Sequence, residues 1–250
     1  MKKIILFTTA ISLCALSTTA NAQSSLLDGW SGEASANGSR TTGNTDTLDF
    51  GLGLKLQKEA GPWTHKFKGN ADFGEVDGDT TRERYDFGYQ IDRDINDRLY
   101  VFGNGDYFKD EFGAFQDGYF VGGGLGYKVF TPDPLGWALE AGAGFRSQQE
   151  QDTLAADLST ISGDTTNEIG IRGKSDFDYK LNENVSVYND TEIIWSSSDT
   201  YIWNEVGLTA QLIGNLAARA SYRVDYHSNP PTGAVGTDTI SRIGVVYTLK

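Results

Sequence analysis

The 250-residue chain carries 34 acidic residues against 21 basic ones, a net charge of −13, and such a surface repels nucleic acid and argues against a nucleic-acid partner. Its single cysteine excludes a disulfide framework and a cysteine metal site. No apolar run after residue 22 reaches the ~18 residues of a membrane helix, whereas 30 glycines, 12% aromatics and only five prolines suit an all-β chain with tight turns.

The chain opens Met1-Lys2-Lys3, runs from Ile4 to Leu16 almost without charge, and reaches Ala20-Asn21-Ala22-Gln23. That is the positive, apolar and A-x-A sequence of a secretory signal peptide. The apolar stretch is too short to span a bilayer, so residues 1–22 are expected to be a cleaved signal and 23–250 the exported domain. Cys14 falls inside the signal, and Leu13 before it is not the small residue that a lipidation site needs. Removing Lys2 and Lys3 leaves 19 basic residues against 34 acidic ones, a net charge of −15.

From Leu48 onward, apolar residues take every second place: Leu48, Phe50, Leu52, Leu54 and Leu56, with Asp49, Gly51, Gly53 and Lys55 between them. A period of two puts one set on each face of a strand. The pattern predicts twelve strands, at 29–39, 46–58, 63–75, 82–92, 98–109, 117–130, 137–148, 165–180, 185–197, 201–213, 216–228 and 238–249. The connections 59–62, 93–97, 131–136, 181–184 and 214–215 are short. Those at 40–45, 76–81, 110–116, 149–164 and 229–237 are mostly longer, with 198–200 as the exception. Mild helicity is expected around Thr153 to Leu158. Short turns at one end and longer loops at the other are the outer-membrane arrangement, and an even strand number returns both termini to the periplasmic side.

A soluble sandwich or lipocalin-like barrel also alternates, with its apolar face inward. The long, near-equal strands argue for a bilayer instead. So do the aromatics. Trp30, Trp63, Tyr127, Trp137, Tyr179 and Tyr247 fall near the inferred periplasmic ends, and Tyr85, Tyr107, Tyr119, Trp195 and Tyr226 near the opposite ends. Two such belts are what a membrane interface selects. Arg242-x-Gly244-x-x-Tyr247-x-Leu249 is similar to the C-terminal strand signal that the outer-membrane insertion machinery reads. The expected fold class is therefore all-β: a single 12-stranded antiparallel transmembrane β-barrel of the outer-membrane type, in contact with membrane lipid and lipopolysaccharide.

The predicted lipid face runs through Phe50, Phe87, Val121, Leu125, Phe145, Ile169, Ile193 and Val245, with Glu83 as a charged exception at a strand end. His65, Asn189 and Asn204 are blemishes on that face, expected to mark local bulges or positions assigned to the wrong face. The predicted lumen face carries Asp49, Lys55, Lys66, Lys68, Arg84, Asp86, Asp106, Glu140, Arg146, Glu168, Arg172, Lys174, Asp176, Asp190, Glu192, Glu205, Arg219, Arg223, Asp225 and Arg242. Inward glycines (Gly51, Gly53, Gly122, Gly124, Gly142, Gly144) are expected to make room for long side chains from across the barrel. The mixed signs favour interlocking ion pairs, and a narrow wet channel past them stays open as the second picture.

Catalytic chemistry finds little support. The two histidines are His65, near the periplasmic end, and His227, expected at the far rim, solvated or paired with Asp225. Ser228 falls on the other face of its strand or in the following loop. The acid pairs Asp77-x-Asp79, Asp110-Glu111 and Glu150-x-Asp152 lack calcium-loop spacing, so no metal or other cofactor is expected.

The stretch Gly38 to Thr47, with Asp110-Glu-Phe112, Gly124-Leu-Gly-Tyr127 and Leu139-Glu-Ala-Gly-Ala-Gly-Phe145, resembles the YdiY-like family. That family is described as salt-induced outer-membrane proteins and is a domain of unknown function. The resemblance implies a barrel in the outer membrane of a Gram-negative bacterium and supplies no catalytic residues. Thr42-Gly43-Asn44-Thr45 also reads as a tight loop on its own chemistry. The leading functional expectation is a non-enzymatic barrel that maintains the envelope or passes small solutes or ions. The alternatives are a surface-binding barrel acting through loops 149–164 and 229–237, and an outer-membrane hydrolase.

Overall fold

The structure, a computed structural model, describes residues 28–41, 47–131, 133–154, 160–231 and 234–249. The expected signal peptide with Cys14 and the Thr42–Thr45 loop lie outside the described residues. The strands are β1 (Trp30–Thr41), β2 (Thr47–Ala60), β3 (Trp63–Val76), β4 (Asp79–Asp94), β5 (Leu99–Asp110), β6 (Phe115–Phe130), β7 (Leu135–Glu150), β8 (Thr153–Leu154), β9 (Thr160–Ile161), β10 (Thr165–Lys180), β11 (Val185–Trp195), β12 (Thr200–Ile213), β13 (Leu216–His227) and β14 (Thr237–Leu249).

Twelve of these close into one antiparallel barrel, each paired with its neighbours in chain order, while β8 and β9 pair with each other in the loop after β7. Closure runs from Gly32 opposite Leu249 to Asn37 opposite Gly244, which brings the first and last strands together. Closure is what removes the unpaired edges that an open sheet would expose.

The barrel is inside-out relative to a soluble domain. Phe50 and Leu52 are 48% and 49% exposed, whereas Arg172 and Glu192 are 2% and 3% exposed. Register explains this, because residues opposite each other in a ladder share a face. One inner row runs Lys55, Lys68, Gly88, Asp106, Phe120, Arg146 and Glu168 from β2 to β10. The adjacent outer row runs Leu54, Gly69, Phe87, Tyr107 and Tyr119. The aromatics Trp63, Tyr127, Tyr179 and Tyr247 at one end, and Tyr85, Tyr107, Tyr119, Trp195 and Tyr226 at the other, are exposed.

Several connections differ from the sequence reading. The expected loop 76–81 is a two-residue turn at Asp77-Gly78, both with positive φ (52° and 89°). That is the twist-matched hairpin geometry, and it lets β3 and β4 extend to Val76 and Asp79. With that turn, and with β6 beginning at Phe115, the length contrast between the two barrel ends is weaker than expected. The helicity expected near Thr153 is replaced by the β8–β9 ladder, and residues 155–159 lie outside the described residues. His65, Asn189 and Asn204 mark no bulge and stay on the outer face: His65 stands opposite Ile91 and Asn189 opposite Val206, β11 and β12 pair continuously through both asparagines, and the β3–β4 shift falls at Gly74/Glu75.

Two turns share one chemistry. Asn96 Oδ1 accepts from the Arg98 and Leu99 N–H groups at 2.9 and 2.8 Å, and Asn182 Oδ1 accepts from those of Asn184 and Val185 at 2.9 Å each. Backbone bonds from Ile95 to Leu99 and from Leu181 to Val185 close both turns alike. An asparagine side chain here replaces a backbone acceptor, which is why a four-residue turn stays rigid.

Candidate lumenal site

The strands deliver every second side chain to the interior, so the lumen is built by alternation alone. Its most enclosed part is the Arg172 network. The Arg172 guanidinium bridges Glu140 at 2.8 Å and Glu192 at 2.7 Å. Gln90 Nε2 donates to Glu140 at 2.7 Å and to Asp92 at 2.8 Å, Tyr100 Oη donates to Glu140 at 2.9 Å, and Lys66 reaches Asp92 at 2.7 Å. Buried charges persist only when paired and hydrogen-bonded, and this network meets that condition.

Further networks line the wall. Arg84 bridges Asp86 (2.9 Å) and Asp110 (3.3 Å), while Arg223 holds Asp225 at 2.8 Å and Tyr201 donates to Asp225 at 2.6 Å. Arg242 joins Asp72 (2.7 Å) to Glu205 (3.2 Å), and Arg219 grips Glu33 at 2.6 and 2.7 Å. Lys68 pairs with Asp106 at 2.8 Å and Lys174 with Asp176 at 2.7 Å. Lys55 on β2 reaches Asp190 on β11 at 3.4 Å, five strands away by the shorter way round the barrel, so this pair crosses the lumen. Near the rim, Asp49 takes Arg82 at 3.2 Å, and Ser197 and Ser198 donate to Glu168. Thus the structure places all twenty residues of the predicted lumen set on the inner face and gives each a partner.

Aromatic residues share this interior, and alternation alone did not single them out. Tyr100, Phe102, Phe120 and Tyr188 are buried inside. Lys66 and Lys128 lie over the Tyr100 ring at 5.8 and 5.7 Å, Arg172 over Phe102 at 5.3 Å, and Lys68 and Arg223 over Trp203 at 5.9 and 5.1 Å. Such stacking adds attraction to cations already held by carboxylates. The signal was present on β5, where Tyr100 and Phe102 alternate with Leu99 and Val101, so both faces are apolar.

The inner glycines serve neighbours and not side chains from the opposite wall. A Cβ at Gly122 or Gly144 would stand 2.7 or 2.6 Å from the Phe120 ring, one at Gly126 2.1 Å from Tyr100, and one at Gly53 2.4 Å from Ser35. At Gly124 and Gly142 it would meet strand backbone. Contacts within a strand and between adjacent strands are shorter than the lumen is wide, so they claim the space first.

At the end of the barrel where β11 turns into β12, the His227 partner is Asp199 and not Asp225: Nδ1 lies 2.7 Å from Oδ2. Arg146 Nη2 donates to the same oxygen at 3.0 Å, Ser228 Oγ and the Asn229 N–H donate to Oδ1, and Ser196 Oγ donates to the Asp199 carbonyl. The His227 ring stacks on Tyr201 with centroids 4.8 Å apart and meets the Phe115 ring at a 56° tilt, 5.0 Å away. Burial pushes the Asp199 carboxyl up, but the His227 hydrogen bond and charge, the Asn229 N–H and Arg146 outweigh it and hold the group well below its ordinary range. This cluster clasps the β11–β12 turn to the end of β13.

Beside the pairs, a cavity of about 730 Å³ remains in the lumen. Its walls reach from Ser31, Gln57 and Lys128 toward one end to Ala114, Phe115 and His227 toward the other, and ten basic and ten acidic residues line it.

The fold and this interior define a closed barrel with an apolar exterior and a polar, ion-paired lumen. The chain belongs to the family described as "Protein of unknown function, DUF481", whose profile matches residues 34–249. No curated protein matches it. Among solved structures, it is similar to an outer membrane channel from Pseudomonas putida F1 (TM-score 0.49, 11% identity, covering 88% of this chain and 95% of that one). It is also similar to the translocator domain of the autotransporter NalP from Neisseria meningitidis (0.48, 12%, 87% and 86%) and to the KdgM porin (0.45, 11%, 88% and 99%).

Proposed function

We propose that this protein is a non-enzymatic outer-membrane barrel whose lumen is a narrow aqueous passage for small solutes or ions. The lumenal cavity carries the reading: the ion pairs leave a space, walled by charged and aromatic residues, that extends toward both ends. The apolar exterior with aromatics at both rims supports the membrane setting. Asn104 supports a wet interior. Its Nδ2 donates to Asp106 at 2.6 Å, while its buried Oδ1 has no protein partner among the described residues, a position suited to lumenal water.

Balanced charge along the walls supports weak selectivity between cations and anions, because a strongly selective pore favours one sign. Against hydrolysis, Ser228 bonds to Asp199 and not to the His227 ring, which favours a structural role for that cluster.

Planar-bilayer recording of the refolded protein tests the passage. Discrete single-channel conductance with a reversal potential near zero in a salt gradient is the expected result, and silence across a wide voltage range overturns it. Lys55→Ala, which removes the transluminal pair with Asp190, should raise the conductance.

A further inference from the structure

The outer face carries a feature that the passage does not use. The outward positions of β11 read Val185, Val187, Asn189, Thr191, Ile193 and Trp195, so the apolar series breaks at the middle of the strand and not at its rim. Asn204 of β12 stands opposite Thr191, and Ser175 of β10 stands opposite it on the other side. Asn204 Nδ2 donates to Thr191 Oγ1 at 2.7 Å and to Asn189 Oδ1 at 3.2 Å, and the Trp137 indole N–H donates to Ser175 Oγ at 3.0 Å. Thr191 Oγ1 also donates to Asn189 Oδ1 at 3.3 Å, Asn204 Nδ2 lies 3.4 Å from the Asp190 carbonyl, and Asn189 Nδ2 makes one long bond to Asn204 Oδ1 at 3.4 Å, which leaves one Asn189 N–H and one Asn204 lone pair over.

A carboxamide offers two donor hydrogens and an oxygen with two lone pairs. Hydrocarbon can satisfy none of them, and the cluster's internal bonds leave part of that capacity unused. A second protein surface can supply the remainder. The chemistry favours one surface in particular. The face keeps one unused donor on Asn189 beside one unused acceptor on Asn204, so it is its own complement, and two copies meet donor to acceptor across a twofold axis.

The adjoining surface fits a close approach. Gly173 stands opposite Ile193 on one side and Ala141 on the other. A Cβ at Gly173 would meet nothing within 4 Å, so packing within this barrel does not require glycine there. A low surface beside short polar side chains lets two sheets come near enough for those side chains to touch.

We propose that the β10–β12 face is where two copies of this chain associate in the membrane, with Asn189, Thr191 and Asn204 at the centre of the contact. The proposal rests on the outer-membrane reading of the barrel. Residues 23–250 contain no cysteine, so single cysteines report on single faces. Thr191→Cys and, as the control on the β4 face, Phe87→Cys are reconstituted separately in phosphatidylcholine vesicles at high dilution and oxidised. Association raises the local thiol concentration at the contact, so Thr191→Cys should form disulfide-linked dimers at least about tenfold faster than Phe87→Cys. Adding Asn189→Leu and Asn204→Leu should remove that difference. Vesicle flotation and heat-modifiable migration of each variant report insertion and folding separately. A chain that folds and floats but crosslinks equally at both faces overturns the association alone. So does crosslinking that survives loss of both amides. A chain that does not float with the vesicles overturns the membrane reading, and this proposal with it.

Discussion

Arg172 shows how a charge is kept inside this barrel. Its guanidinium answers two carboxylates, Glu140 and Glu192, and all three side chains are nearly inaccessible. Removing the cation alone leaves two facing acids in a confined space, and breaking a buried pair from one side costs ~3–5 kcal/mol. Arg172→Ala should therefore lower unfolding stability by that order in urea titration of the folded barrel. Asp199 makes a pH prediction. A carboxyl held low in the folded state binds fewer protons than in the unfolded chain, so it stabilises above its unfolded value near 3.8, and that contribution is lost as pH falls. The thermal unfolding midpoint should thus fall as pH falls below about 4, and Asp199→Asn should flatten that part of the profile. On the outer face, Leu52→Arg should cost ~2–4 kcal/mol if the site faces the bilayer midplane, measured by the same urea titration.

Among the elements, the twin turns at Asn96 and Asn182 pin two hairpins through side-chain acceptors. Asn96→Ala and Asn182→Ala should each destabilise by ~1 kcal/mol, and the double variant should show their sum, because the two turns share no partner. Both motifs could be found in the sequence as Ile95-Asn96-Asp97 and Leu181-Asn182-Glu183, but strand periodicity says nothing about turn hydrogen bonds. Strand positions were legible because a period of two leaves a strong trace even in a polar chain. The 76–81 connection reads as a loop yet folds as a tight turn, for a physical reason. Asp79, Thr80 and Thr81 look like loop residues, yet Asp77 and Gly78 alone supply the positive φ that the turn needs, so the polar residues are free to join the ladder.

For the whole molecule, which residues face inward was legible, but which of them touch was not. Alternation assigned Lys55 and Asp190 to one face without indicating that they meet across the lumen, since that contact depends on closure between strands 135 positions apart. The inner aromatics are legible only on β5, where both faces read apolar, because an apolar residue inside a polar lumen breaks the two-sided rule. The sequence leaves His227 solvated or paired with nearby Asp225, whereas the fold brings Asp199 to it. The paired charges follow from one arrangement, with the dry side out and the wet side in, and the proposed passage and self-association both depend on it. Spin labels placed one at a time from residue 48 to residue 56 test it most directly in reconstituted vesicles. Collision with oxygen, which dissolves in lipid, should peak at Leu48, Phe50, Leu52 and Leu54. Collision with a water-soluble nickel chelate should peak at Asp49, Gly51, Gly53 and Lys55. The opposite phase, or no alternation along β2, would contradict the account.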